Sequence, residues 1–333
     1  MSPASLDHLF ESFKDLKVMV IGDVMIDAYL WGPVERISPE APVPVISVTK
    51  REDRLGGAAN VALNVAAMGA TPIVCAVTGN DNKGKVLSEL LERRGLPSEG
   101  IVHLNDRPTT VKSRVISGHQ HIVRVDEEST QMLTTSEEGV FLSKATQIIE
   151  QESPDVIIFE DYNKGLLTEK VVSQIIMLSS SRAIPTAVDP KKLNFFSYKG
   201  VTLFKPNLKE LKEGLKVDFD KKDQNGLRAA VEQLEDQVNN NISLITLSEE
   251  GVYVKKGDED SRIPAHVRKI SDVSGAGDTV ISVAALCLAR KTSPKFMAAL
   301  ANLAGGLVCE KVGVVPIDPE QLLREAKLHL TQL

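Results

Sequence analysis

The stretch Asp272-Val273-Ser274-Gly275-Ala276-Gly277-Asp278-Thr279 combines glycines, a carboxylate and a helix start. Gly275, Ala276 and Gly277 let backbone approach a ligand closely. The apolar helical pattern VISVAALCLA follows, so their amides open a helix N-terminus, a ready anion site. Amides so placed would stabilise the charge that builds on a phosphoryl group in transit. Asp278, in the first turn, is the candidate general base for an attacking hydroxyl, an aid that gives roughly 10²–10⁴-fold in rate. An acid that merely complements the helix dipole is the ordinary alternative, and the adjacent Gly-x-Gly weighs against it. A second signal is Gly56-Gly57-Ala58-Ala59-Asn60, which opens a helical pattern over 57–68. Asn60 both donates and accepts hydrogen bonds, which suits a polyol.

These groups need a scaffold. Short apolar runs at 18–23, 72–79, 155–161, 185–190, 201–207 and 242–248 alternate with amphipathic stretches such as 57–68, 83–94, 168–180 and 224–238. Continuous β-branched runs of this kind are buried on both faces. The alternation predicts an α/β domain with a doubly wound, mostly parallel sheet flanked by helices. Several runs finish in polar or acidic residues: Asp23, then Glu160 and Asp161, then Asp189, then Asn207 and Glu210. Ligands of open α/β sheets bind outside the carboxyl ends of the strands, so these residues are expected around one crevice. Helix capping would explain any one of them, but explains all of them together less well.

Two segments break the alternation. Pro39, Pro42 and Pro44 favour extended edge positions in 31–50. The segment 109–126 alternates like a hairpin with Ser117-Gly118-His119 at its turn. Together they are expected to form a small β-lid on a single domain spanning 1–333.

The bulk properties narrow the function. Among 333 residues, the net charge of −6 argues against a nucleic-acid binder, which needs a large basic surface. Cys75, Cys287 and Cys309 are few, odd in number and widely spaced, so neither a zinc site nor a disulfide framework is indicated. No long apolar run suggests a membrane span or a leader, and a reducing cytoplasm is the expected setting. Gly79 to Val86 approaches a P-loop but ends in Val where a hydroxyl is required. Gly22-Asp23-Val24 lacks the glycine pattern of a Rossmann dehydrogenase.

The two glycine motifs, in this order and about this far apart, resemble the two signatures of the PfkB (ribokinase) carbohydrate kinase family. Gly22-Asp23 with Asp27 resembles the substrate-binding end of that family's first strand. Asn207-x-x-Glu210 resembles its NxxE element, tied to magnesium and phosphate. The resemblance covers nearly the whole chain. It implies a ribokinase-like domain with a β-sheet lid, ATP, Mg²⁺, Asp278 as base, and room for a monovalent cation such as K⁺ near the anion hole. Val273 departs from the family's usual Thr.

A narrower likeness lies in Arg36-Ile37-Ser38-Pro39-Glu40-Ala41-Pro42-Val43-Pro44-Val45, in Thr109 to Arg114, in Arg124-Val125-Asp126, in Asp161-Tyr162-Asn163-Lys164-Gly165 and in Asp189-Pro190-Lys191. These segments resemble the heptose-7-phosphate kinases of bacterial ADP-heptose synthesis. That implies phosphorylation of O1 of D-glycero-β-D-manno-heptose 7-phosphate, giving the 1,7-bisphosphate for lipopolysaccharide core synthesis. The kinase pattern runs to about residue 325 and no HxGH-like signature is present, as in the stand-alone form of these kinases. On this reading Asp23, Asp27, Gly57 and Asn60 contact sugar hydroxyls. Lys112, Arg114, Arg124, Lys164 and Lys191 are candidates for the substrate phosphate, with Arg36 as a further one from the lid, and solvated surface charges are the plain alternative. Asn207 and Glu210 act through Mg²⁺; Ser248, Glu250 and Gly251 flank the nucleotide; Asn302, Gly306 and Val308 line an adenine slot. The apolar, Pro-rich lid implies a homodimer. Another sugar kinase of the same family and a non-catalytic sugar or nucleotide sensor are the rival readings.

Overall fold

The computed structural model describes residues 2–118, 120–266 and 268–331. A nine-stranded sheet forms its centre, in the order Glu259–Ile263, Val252–Lys256, Ile242–Thr246, Leu203–Phe204, Thr186–Asp189, Val156–Glu160, Lys17–Gly22, Thr71–Gly79, Ile101–Leu104. The seven strands from Ile242–Thr246 to Ile101–Leu104 run parallel, and the last two at the other edge are antiparallel. This is the α/β architecture expected from the alternation of runs and helices.

The period of a strand explains the two cores. Along Lys17–Gly22, Val18 and Val20 point into one apolar layer while Met19 and Ile21 point into the other. The first layer packs under the helices Ala58–Ala67, Ala276–Ala289, Pro294–Val308 and Pro319–His329. The second lies under Thr135–Glu152, Glu169–Ser181 and Gln224–Val238.

From Lys17–Gly22 the chain fills one side of the sheet through residue 104, then crosses to Val156–Glu160 on the other side. The order therefore reverses between those two strands, which is where α/β sheets open a crevice. Gly22 passes so close to the carbonyl of Glu160 that any Cβ there would collide with it.

The lid differs in detail from the expectation. Its four-stranded sheet is Lys50–Gly57, Val24–Trp31, Val111–Ser117, Gln120–Glu127. Val24–Trp31 leaves the main sheet after Asp23 with no turn signal in the sequence, so the expected run at 18–23 misses this second strand. Between 31 and 50 only a separate ribbon forms, Val34–Ile37 against Pro44–Ile46. Pro42 and Pro44 lack an N–H and limit further pairing there. The 109–126 hairpin is present as Val111–Ser117 against Gln120–Glu127; His119, assigned to its turn, lies outside the described residues. The run 201–207 contributes only Leu203–Phe204, because Pro206 has no N–H to extend the ladder.

Candidate active site

The helix Ala276–Ala289 begins at Gly275, whose φ of 79° is a conformation that suits glycine. It packs against the helix Ala58–Ala67 and the ends of Val156–Glu160 and Thr186–Asp189. That contact delivers Asp278 to the mouth of the crevice. Asp278 is buried, and both of its oxygens are held: the Asn60 amide donates to Oδ2 at 2.5 Å, and the Tyr162 hydroxyl donates to Oδ1 at 2.9 Å. Burial raises the Asp278 pKa and the Asp189 charge adds to it; the two donors and Lys205 act against the rise. A raised pKa makes a carboxylate a better proton acceptor. Asn60 Oδ1 is buried with no partner, an acceptor left for a ligand hydroxyl.

Asp23 and Asp27 form the floor of the crevice where the chain passes from the main sheet into Val24–Trp31. Asp23 accepts the backbone N–H groups of Tyr162 (2.9 Å) and Lys164 (3.0 Å). Burial, with the nearby Asp161 charge, pushes its pKa up to about 6. Gly56 and Gly57 run past these two acids: a Cβ on Gly56 would strike the Asp27 carboxylate, and one on Gly57 (φ 61°) would strike the Asp23 carbonyl. Glu160 is fully buried and neither of its oxygens has a partner. Burial, then the Asp189 and Asp278 charges, holds its pKa well above the usual carboxylate range.

The basic candidates fall into two groups. On the lid side, Lys112 pairs with Asp126 and Glu128, both at 3.2 Å, and Lys164 pairs with Glu128 at 2.6 Å. Arg114 is instead engaged by Asp27 at 2.6 Å and lies over the Tyr29 ring. Arg124 is exposed and pairs with Asp126; Arg36 is exposed on the ribbon. Lys191 belongs elsewhere. It bonds Glu210 at 2.6 Å and sits over the Tyr162 ring, on the side of the Asn207-x-x-Glu210 segment.

That segment is a reciprocal helix cap: Asn207 Oδ1 accepts the Glu210 N–H, and Glu210 Oε2 accepts the Asn207 N–H, both at 2.8 Å. Beside the start of Ala276–Ala289, Lys205 is buried against Asp189 at 2.8 Å, and a Cβ on Gly277 would come within 3.4 Å of Asp189 Oδ2. Beside Asn207 opens a cavity of about 1050 Å³ lined by Leu208, Lys212, Phe219, Lys221 and Ser248 among others. Glu250 pairs with Arg262, and Gly251 (φ 88°) makes the tight turn into Val252–Lys256, where a Cβ would collide with the Ile263 carbonyl. These two residues shape the turn, while Ser248 faces the cavity. Asn302 donates to the Pro264 carbonyl, and Gly306 lies against the stem of Arg268. Val308 is buried in the core, and Val273 is exposed.

A pfkB family carbohydrate kinase profile matches residues 15–321 of the chain. The chain belongs to the pfkB family of carbohydrate kinases. It is accordingly a sugar kinase, a phosphotransferase with an alcohol acceptor. Curated relatives include two named bifunctional protein HldE. The one from Desulfatibacillum aliphaticivorans is 40% identical over 93% of this chain and 63% of its own length. The one from Koribacter versatilis is 38% identical over 96% of this chain and 65% of its own. The chain thus spans a little under two thirds of these relatives. Among solved structures, phosphofructokinase-2 from Escherichia coli in complex with potassium has a TM-score of 0.77 at 18% identity, covering 95% of this chain and 99% of that one. Arabidopsis thaliana ribokinase complexed with ribose and ATP has a TM-score of 0.71 at 16% identity, covering 93% and 99%. Both show the ribokinase-like fold.

Within this pfkB kinase, sequence reasoning reached Asp278, Asn60 and Asp23 but gave no role to Tyr162, Lys205, Asp126 or Glu128. Tyr162 and Asp126 stand inside segments that carry the narrower likeness, and Lys205 inside the apolar run 201–207. Glu128 is an ordinary acid in the sequence until the lid folds it onto Lys112 and Lys164.

Among the described residues no group of three His, Cys, Asp or Glu side chains is arranged to hold a metal, and no helix is long and apolar enough to cross a membrane. All three cysteines are free and buried.

Proposed function

We propose that this kinase transfers the γ-phosphoryl group of ATP to O1 of D-glycero-β-D-manno-heptose 7-phosphate. The observation that carries the reading is the joining of three features across one crevice: Asp278 at the Gly275–Gly277 helix start, Asp23 and Asp27 on the floor, and a lysine clasp beside that floor. Lys164 gives its N–H to Asp23, and Lys112 stands opposite Asp27 in register. A ligand that spans base and clasp carries hydroxyls at one end and a phosphate at the other, which fits a sugar phosphate.

In this proposal Asp278 takes the proton of the sugar hydroxyl. Asn60, Asp23 and Asp27 orient the ring, and the amides from Gly275 to Asp278 receive the charge on the phosphoryl oxygens. The polyphosphate of ATP extends past Asn207 towards Ser248. Mg²⁺ fits through water: Asn207 and Glu210 are committed to the cap and to Lys191, and Mg²⁺ keeps several waters where it bridges phosphates. Bound with ATP, it neutralises phosphate charge. A monovalent cation near the anion hole, a cytoplasmic setting and a role in ADP-heptose synthesis belong to the same proposal.

The lid also supports pairing of two copies. Val34, Ile37, Val43, Val48, Val123 and Val125 are exposed large apolar residues on it, a patch of the kind that marks interfaces. Light scattering that returns a monomer at working concentration removes this part.

The deciding experiment is a coupled ADP-release assay with Mg-ATP and the heptose 7-phosphate, beside fructose 6-phosphate, ribose and adenosine. Turnover with the heptose phosphate alone is the expected result. Turnover with another sugar keeps Asp278 and the anion hole but retires the heptose. Silence across the panel favours a sensor.

A further inference from the structure

Among the described residues, Tyr162 alone bonds both to the base and to the floor of the sugar pocket. Its hydroxyl donates to Asp278 Oδ1 at 2.9 Å, and its backbone N–H donates to Asp23 Oδ2 at 2.9 Å. Two carboxylates from opposite ends of the chain are thereby tied to one residue, Asp278 through its side chain and Asp23 through its backbone. The ring is itself held in place, with the Lys191 ammonium 5.6 Å from its centroid. We propose that Tyr162 is a positioning residue for phosphoryl transfer: it fixes the orientation of Asp278 relative to the carboxylate that seats the sugar. This rests on the reading of Asp278 as the base.

The chemistry leaves room for it. An ionised carboxylate has about four lone-pair sites, and Asn60 and Tyr162 use one on each oxygen. In the transfer step the sugar O–H bond breaks and its proton passes to a free lone pair of Asp278. The sugar oxygen bonds the γ-phosphorus as the bond from that phosphorus to the ADP oxygen breaks. Tyr162 keeps its own proton throughout. Burial, then the Asp278 charge, raises its pKa well above the ordinary phenol value, so it stays protonated and donates to the carboxylate. The groups facing Asp278 are Asn60 and Tyr162 by direct bonds, with the carboxylates of Glu160 and Asp189 and the Lys205 ammonium beyond them. A tyrosine that merely fills space would need no hydroxyl there. The bond from Tyr162 instead holds the oxygen opposite the one that Asn60 holds, so the carboxylate is pinned at both ends, and orientation of a reacting group is worth a large share of a barrier.

Tyr162→Phe keeps the ring, the contact with Lys191 and the N–H to Asp23, and removes only the bond to Asp278. It should be assayed in the full chain with the sugar of highest turnover in the panel, beside Asp278→Asn. The expected result is a fall in kcat of about tenfold, with KM for the sugar within about twofold, the pattern of an interaction used in the transition state. The acid limb of the kcat–pH profile should move to higher pH, because a donor to the carboxylate form is lost. An unchanged kcat, or a kcat loss with the acid limb unmoved, overturns the positioning role. The two failures separate cleanly. Near-normal turnover by Asp278→Asn removes the base itself; an inactive Asp278→Asn beside a wild-type-like Tyr162→Phe removes only the role of the tyrosine.

Discussion

Asn60 donates its side-chain amide to Asp278 at 2.5 Å, although 218 positions separate them in the chain. The bond joins the two glycine motifs into one site: each opens a helix, and the two helices pack side by side. Asp278→Asn should therefore leave the fold and ATP binding intact while turnover drops by roughly 10²–10⁴-fold, the usual worth of general-base help. Steady-state kinetics with a nucleotide-binding measurement checks this, and near-wild-type turnover would place the base elsewhere.

Gly277 tests the anion hole separately from the base. It is helical with no positive φ, so alanine costs the backbone little. Its new Cβ would sit 3.4 Å from Asp189 Oδ2 and 3.8 Å from Lys205 Nζ, in the space that the proposed function gives to the phosphoryl oxygens. Gly277→Ala keeps the amide but crowds the approach to it, so kcat should fall by about 10²-fold, as a misplacement of about 1 Å does, with a melting temperature close to that of wild type. A normal kcat would show that the phosphoryl group lies off this helix start.

Glu128 stands where a substrate phosphate would bind on the proposed function, accepting both Lys112 and Lys164. A carboxylate in that place competes with the ligand. Glu128→Gln should lower KM for the phosphorylated sugar, while Lys164→Met should raise it by roughly tenfold or more, since charge-assisted hydrogen bonds are the strong ones. Neither should change kcat much. An unchanged KM in both variants would move the phosphate away from this clasp.

The legible and illegible parts divide by the range of the forces involved. The helix over 224–238 was expected there and runs Gln224–Val238, because its periodicity is local and its ends carry Asp223 as N-cap and Asn239 in the left-handed region. The helix start at Gly275 with Asp278 in its first turn was legible because a helix start must be written in adjacent residues. Val24–Trp31 was hidden because no turn separates it from Lys17–Gly22; the chain simply changes sheets. The pairing of Lys112 with Glu128, and of Tyr162 with Asp278, depends on segments brought together only by the fold. Asn207 and Glu210 are read from the sequence for a ligand role, and the structure shows them as a helix cap, which the same residue pattern also encodes.

The pH dependence of Asp23 gives a test in which stability and binding point opposite ways. Its pKa in the folded protein is raised from 3.8 to about 6, chiefly by burial. The folded state therefore binds this proton more tightly than the unfolded chain does. Stability from this group is fully present below about pH 4 and is lost as the pH rises through 6. The whole loss is about 3 kcal/mol, taking about 1.4 kcal/mol per unit. Roughly half of it falls between pH 5 and 8. Asp23→Asn has no charge to bury, so its stability relative to wild type should grow across that range, measured by urea unfolding at pH 5 and pH 8. Binding should run the other way, because a sugar hydroxyl is better accepted by the carboxylate than by the acid. The wild-type KM for the sugar should rise as the pH falls through 6, and the Asp23→Asn KM should be high and flat. Parallel stability curves for the two proteins would mean that Asp23 is not strained by burial. A flat wild-type KM would mean that the sugar does not lean on it.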